Sequence, residues 1–200
     1  MLLFRQKSTF SSIGGGKMRL EFRFFQYTVE IEIRKKRLIN GGSFMERGEY
    51  GANEIANWFL NKEEMSHKKL QKLCYYAQAW GYTLLDEKLI DDDFKAWVHG
   101  PVSPSLYQCY KGSGWSKLKL DNEAQLPKLT TEQEELLESV WLTYGDMTAN
   151  ALEVLTHDET PWKEARRGLS SFERGNRDIT LAAMKDFYST LYEGEVDEGY

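Results

Sequence analysis

The amino-acid sequence predicts a mainly α protein: a compact multi-helix domain with a short β element near residues 94–98 and an N-terminal segment that favours a β-hairpin. Apolar residues recur at helical spacing from about residue 53 to residue 191, and most of these runs begin at a polar capping residue. The 200 residues are 41% hydrophobic and 28% charged, which is enough apolar material for one buried core. One domain over residues 46–195 is therefore expected.

Residues 1–45 differ from the rest of the chain in charge and in periodicity. They hold nine Lys and Arg against three Glu, whereas the residues beyond position 45 carry 17 basic and 28 acidic side chains. Between Arg19 and Lys36 apolar and polar residues alternate, which favours a short hairpin or one bent strand. Two strands alone are marginal in water, so this basic extension would need to pack on the domain or on a partner.

A second interpretation of the extension concerns the start of translation. Residues 40–44, just before Met45, can be encoded by a purine-rich stretch that resembles a ribosome-binding site. Translation from Met45 would leave the extension outside the natural product. The alternative is a glycine-rich linker that joins a real hairpin to the domain, and the intact mass of natively expressed protein distinguishes the two.

The helical period begins near Asn53, which is a plausible cap for a first helix through Phe59. Ser66 then precedes a long amphipathic run that we expect to be the central helix. Three lysines in this run are expected to face away from its apolar stripe: Lys68, Lys69 and Lys72.

A short strand and a proline turn follow the central helix. Residues 94–98 alternate like a strand until Gly100 and Pro101 stop the pattern. The acidic triplet at residues 91–93 is expected to form a solvated loop or a helix cap, because no further carboxylate or histidine cluster stands nearby. A short helix is expected beyond Pro104.

The C-terminal half predicts four more helices with recognisable starts. Thr131 and Glu134 have the spacing of a capping box, and Thr148 is a suitable cap for the next helix. Thr160 followed by Pro161 has the order that opens a helix, and a last helix follows Ile179 and Thr180. Residues 196–200 are expected to form a frayed acidic tail.

Little in the sequence favours an enzyme. Neither serine near the proline turn carries the flanking glycines of a nucleophile turn, and no glycine-rich loop suits a phosphate. Both cysteines, Cys74 and Cys109, are expected to be buried thiols. We predict no cofactor, no metal and no catalytic residue. The enzymatic alternative would need the fold to bring His99 and His157 together beside carboxylates.

Charge and hydropathy narrow the class of partner. A domain this acidic repels a phosphate backbone, so nucleic acid is not an expected partner. A DNA-binding autoregulator would need a basic recognition helix, for which the three lysines of the central helix are the candidate. Because the chain has no run of 18 apolar residues and no secretory signal near its start, we expect a cytoplasmic protein with no membrane partner.

Two proline-containing turns form the candidate partner-binding site. Prolines hold a turn at low entropic cost on binding, and aromatic side chains offer large contact areas. The alternative is that both tryptophans belong to the core and that the prolines only end helices. The candidate residues are Trp97, His99, Pro101, Pro104, Tyr107, His157, Pro161 and Trp162.

Several of these runs, in order, resemble the Panacea domain, the SocA-like antitoxin family that is also catalogued with the phage-associated protein GepA. The runs that carry the resemblance are residues 69–80, 96–102, 104–107, 144–145 and 155–166. The resemblance covers residues 53–193 and implies a mostly helical domain of bacterial and prophage toxin–antitoxin systems, which contacts and neutralises varied toxins. It also implies an alternative role as an adaptor that delivers a toxin to a Clp-type protease, and it attributes no catalytic residues to the family. The expected partners are thus a cognate toxin protein and, in the alternative, that protease.

Overall fold

The computed structural model describes residues 48–196, with side chains described as far as residue 192. Within this range seven α-helices are joined by loops and two small sheets, so the prediction of a mainly α fold is confirmed. The helices are α1 (Ala52–Lys62), α2 (His67–Leu85), α3 (Pro104–Tyr110), α4 (Thr131–Tyr144), α5 (Ala149–Asp158), α6 (Thr160–Ala165) and α7 (Leu181–Val196). The hairpin predicted for the N-terminal extension, the start at Met45 and the last four residues of the acidic tail lie outside the described residues.

Each sheet is a pair of short antiparallel strands. Strand β1 (Met65–Ser66) pairs with β4 (Lys117–Leu118), and β2 (Lys95–Trp97) pairs with β3 (Gly100–Val102). The predicted β element near residues 94–98 is therefore present as the first strand of a tight hairpin. Among the described residues, no helix has both the length and the apolar character that a membrane crossing requires.

Helix α2 is the centre of the fold. Ser66 caps it, accepting a hydrogen bond from the N–H of Lys69 at 3.3 Å, as the sequence predicts. Twelve consecutive residues, from Leu70 to Gly81, are buried, because α1, α4, α5, α7 and the β2–β3 hairpin cover α2 on every side. A helix surrounded in this way needs little amphipathic character, and its polar residues must find partners inside the protein.

The expectation that all three lysines of α2 lie away from its buried side is wrong for Lys72. Its side chain is buried, and only 1% of the residue is exposed, because the hairpin and α5 close over this face of the helix. Lys68 and Lys69, one turn earlier, are half-buried. Helical periodicity separates faces, but it does not show which faces other elements will cover.

Three helix starts differ by one or two residues from the prediction. Helix α6 has Glu159 at its cap position, and Thr160, the predicted cap, is its first residue. Helix α1 begins after Gly51, whose N–H donates to the Glu54 carboxylate at 2.8 Å. Helix α4 is capped by Thr130, and its capping box pairs Thr130 with Gln133 through bonds of 2.9 and 3.3 Å. The cap at Thr148 is as predicted, with Ala151 donating to its hydroxyl at 3.1 Å.

The two cysteines have different environments. Cys74 is buried in the middle of α2, as expected, and burial raises the pKa of its thiol. Cys109 is exposed, so the expectation of a buried thiol is wrong there. It lies on the outer face of the short helix α3, where its sulfur accepts a hydrogen bond from the Asn53 amide.

Candidate functional site

The β2–β3 hairpin presents the first proline turn. Trp97 stands opposite Gly100 in its register, and Val98 and His99 form the tip. Gly100 has a φ of +95°, which a residue with a side chain rarely adopts. A Cβ added there would lie 2.7 Å from Cε of Lys72 and 2.8 Å from Oγ1 of Thr156. Glycine is thus required both for the turn and for the close approach of the hairpin to α2 and α5.

Lys72 of α2 contacts the buried side of the hairpin. Its ammonium group donates a hydrogen bond to the carbonyl oxygen of Pro101 at 2.9 Å. Burial lowers the pKa of Lys72 to about 7, and the nearby Glu153 carboxylate opposes that shift. A lysine so placed positions the backbone of the turn and is not available to solvent.

Glu153 joins the hairpin tip to two helices. Its carboxylate forms an ion pair with Lys68 of α2 and a hydrogen bond of 2.9 Å with Nδ1 of His99, whose side chain is 76% exposed. Partial burial acts to raise the pKa of Glu153, but the hydrogen bonds from Lys68 and His99 outweigh it, and the pKa is lowered. The carboxylate therefore holds the exposed imidazole of His99 in a defined position.

The second turn, between α5 and α6, lies directly against the first. The indole N–H of Trp162 donates to the carbonyl oxygen of Trp97 at 3.0 Å, although 65 residues separate the two. The His157 ring stacks on Trp162 with centroids 3.9 Å apart and planes 15° from parallel. Burial lowers the pKa of His157, which favours a neutral ring on the indole face.

Tyr107 of α3 extends this group of rings in the other direction. It meets Trp97 edge-on at a centroid distance of 4.8 Å, and His67 stacks on it at 5.6 Å. Pro104 is the first residue of α3, and Ser103 caps that helix. The fold thus unites the two turns and α3 into one surface, here called the paired-turn surface, formed by Trp97, His99, Tyr107, His157 and Trp162.

The prolines and the tryptophans have different exposure. Pro101 and Pro161 are buried, so they shape the turns but offer no contact area of their own. Trp97, Tyr107, His157 and Trp162 are half-buried, with one part against the protein and one part facing solvent. Each tryptophan therefore packs partly against the core and partly faces solvent, where a partner could contact it.

Sequence reasoning did not find Lys68, His67 or Glu153 as parts of this site. Helical spacing could have indicated Glu153, because it lies four residues before His157 and therefore on the same face of α5. Residues 91–93 form a loop in which Asp92 accepts from the N–H of Ser105 at 3.2 Å, a cap-like role. Among the described residues, no group of three or more His, Cys, Asp or Glu side chains is arranged to hold a metal ion.

Replacing the buried lysine should change how stability depends on pH. Because the pKa of Lys72 is about 7 when folded and 10.5 in its usual state, the folded protein binds fewer protons between these values, and its stability rises with pH there. In Lys72→Met this rise should vanish. The free energy of unfolding of the variant, relative to that of the wild type, should therefore fall by roughly 3 to 5 kcal/mol between pH 7 and pH 10.5. Urea unfolding across this range measures the difference.

The exposed Lys111 provides the control for this experiment. A Lys111→Met variant should follow the wild-type pH profile. Parallel profiles for the wild type and Lys72→Met would contradict the lowered pKa of Lys72.

Comparison with known proteins places the paired-turn surface inside a recognised family region. The profile of the family described as "Antitoxin SocA-like, Panacea domain" matches residues 70–163, which include all five residues of the surface. The protein named "Antitoxin SocA" from Caulobacter vibrioides (strain NA1000 / CB15N) is 32% identical over 135 residues, covering 58% of this chain and 71% of that relative. No solved structure matches this chain.

Proposed function

The chain belongs to the SocA-like antitoxin family with a Panacea domain, and from this premise we propose that it neutralises a partner toxin protein by binding it through the paired-turn surface. The observation that carries the proposal is the hydrogen bond from Trp162 to the backbone of Trp97. It joins two turns that are distant in sequence into a single half-exposed surface.

The physical character of the surface suits protein recognition. Tryptophan, tyrosine and histidine provide large contact areas and lose few rotamers on binding. Here their rings are already held, since Trp97 meets Tyr107 at 4.8 Å and Trp162 meets His157 at 3.9 Å. A surface organised in advance binds with a smaller entropic loss than a mobile one.

We propose that neutralisation works by occlusion and not by a reaction. The charged groups beneath the surface have structural partners: Glu153 holds Lys68 and His99, and Lys72 holds the carbonyl of Pro101. These contacts fix the shape that the partner meets. The role requires no cofactor, and we place it in the bacterial cytoplasm.

Co-expression with the toxin encoded next to this gene tests the proposal. The neighbouring reading frame, once shown to arrest growth alone, should arrest it no longer when this chain is present. The double variant Trp97→Ala, His99→Ala should lose most of that protection while keeping its circular dichroism spectrum. Trp115→Ala, which alters a 92% exposed tryptophan outside both turns, should protect like the wild type. Equal growth arrest with and without the wild-type chain would remove the antitoxin role.

The same cells distinguish occlusion from the alternative adaptor role that the family resemblance implies. Occlusion leaves the toxin at its normal level in a stable complex with this chain. Delivery to a Clp-type protease would shorten the half-life of the toxin, and deletion of the protease would restore it.

A further inference from the structure

The loop between α6 and α7, residues 166–180, is built as part of the hairpin sheet. The N–H of Ala96 donates to the carbonyl of Arg177 at 2.9 Å, and the N–H of Ile179 donates to the carbonyl of Phe94 at 2.8 Å. The loop thus runs along the outer edge of β2. We call it the Phe172 loop.

Arg166 fixes the base of the Phe172 loop. The residue is only 5% exposed, and its guanidinium group donates to the carbonyl oxygens of Ala96 at 3.1 Å, Ser170 at 3.1 Å and Glu173 at 2.7 Å. Gly175 lies so close that an added Cβ would be 2.8 Å from Nη1 of Arg166. The loop backbone is therefore held in one conformation by a buried side chain.

This firmly held loop displays a phenylalanine to solvent. Phe172 is 90% exposed, whereas Phe59 and Phe94 are buried in the core and Phe187 is half-buried. A single exposed apolar residue is common and proves nothing by itself. The charge of the residues around Phe172 distinguishes it from such a residue.

The charge of the Phe172 loop and α6 is opposite to that of the rest of the domain. In residues 160–180 five Lys and Arg stand against three Asp and Glu, whereas the other residues in the range 48–196 carry 11 basic and 22 acidic side chains. Arg174 is exposed and forms no ion pair with another described residue. Arg177, which is also exposed, donates a hydrogen bond to the carbonyl oxygen of Arg167 at 2.7 Å. An exposed phenyl ring beside these two guanidinium groups suits a partner with carboxylates around an apolar pocket.

The Phe172 loop adjoins the paired-turn surface at two points. Asn176 accepts a hydrogen bond from the indole N–H of Trp97 at 3.0 Å. The guanidinium group of Arg166 lies 5.1 Å from the ring centroid of Trp162. A partner seated on the two tryptophans would therefore reach the loop.

We propose that the Phe172 loop is the second half of the toxin-binding surface, with Phe172 entering an apolar pocket of the toxin and Arg174 and Arg177 meeting carboxylates around that pocket. The inference rests on the proposed antitoxin function and specifies the chemistry of the partner. A nucleic acid suits the site less well, because the acidic remainder of the domain repels a phosphate backbone.

Calorimetric titration of the purified chain with the toxin that it neutralises tests the inference. Phe172→Ser should weaken binding by about tenfold or more, as expected for an aromatic anchor. Arg174→Glu should weaken binding at low salt and reduce the salt dependence of the affinity. Both variants should keep the wild-type melting temperature, since neither side chain is buried. The matched controls are Trp115→Ser, at 92% exposure, and Lys117→Glu, and both should bind like the wild type.

The outcomes separate this inference from the proposed function. If Phe172→Ser and Arg174→Glu bind as tightly as the wild type while Trp97→Ala does not, the loop is no part of the interface and the inference is overturned. If the wild-type chain neither binds nor neutralises the toxin, the antitoxin function itself is removed. A loss of self-association or of binding to a DNA duplex in Phe172→Ser, with toxin binding intact, would also overturn the inference.

Discussion

Replacing Gly100 with alanine should lower the free energy of unfolding by roughly 2 to 5 kcal/mol. Two separate terms contribute. An L-residue at a φ of +95° is strained, which accounts for about 1 to 2 kcal/mol. The new Cβ would also lie 2.7 Å from Cε of Lys72 and 2.8 Å from Oγ1 of Thr156, so either these buried side chains or the hairpin must shift, and overpacking adds about 1 to 3 kcal/mol.

Gly168 is the matched control for this substitution. Its φ is +84°, close to that of Gly100, but no atom lies within 4 Å of where its Cβ would be. Gly168→Ala should therefore show the conformational term alone, about 1 to 2 kcal/mol. Urea unfolding followed by circular dichroism gives both values. Equal losses in the two variants would show that crowding at Gly100 is relieved without cost.

Helix positions were predictable from the sequence because they depend on local chemistry. Ser66 and Thr148 cap their helices as predicted, since a hydroxyl at that position can bond only to nearby N–H groups. The one-residue difference at Thr130 arose because neighbouring Thr130 and Thr131 can both serve as caps. Only the three-dimensional structure chooses between them.

The arrangement of the site was less predictable because it depends on contacts between distant residues. The two turns could be recognised from their prolines and tryptophans, but not that Trp162 would bond to Trp97. Lys72 was misplaced for the same reason, since nothing local shows that a hairpin will cover one face of α2. Exposure also depends on tertiary packing, as the different environments of Cys74 and Cys109 illustrate.

A second large effect is expected at Glu159, the residue between α5 and α6. Its carboxylate is buried, and it accepts hydrogen bonds from the hydroxyls of Tyr188 at 2.7 Å and Tyr76 at 3.0 Å. These bonds tie the second turn to α7 and to α2. Burial raises its pKa from 4.5 to about 7, although both hydroxyls act in the opposite direction.

The raised pKa of Glu159 sets the sign of its contribution to stability. Between pH 4.5 and pH 7 the folded protein keeps a proton that the unfolded chain releases, so stability falls as pH rises through this range. A shift of this size corresponds to about 3 kcal/mol. Glu159→Gln removes the charge and keeps an acceptor, so its stability relative to the wild type should increase by about that amount between pH 4.5 and pH 8.

Two further variants distinguish charge from hydrogen bonding at Glu159. Glu159→Ala leaves two buried hydroxyls without their acceptor and should be less stable than Glu159→Gln at every pH, by about 1 to 3 kcal/mol for each group. Glu153→Gln is the control: because the pKa of Glu153 is lowered, its contribution to stability changes only below the usual pKa of 4.5, so between pH 4.5 and pH 8 this variant should run parallel to the wild type. Chemical unfolding from pH 4.5 to pH 8 measures all three. If the profiles of Glu159→Gln and the wild type run parallel, the carboxylate is already charged throughout this range, and α2 and α7 hold the second turn through an ionic acceptor and not a protonated one.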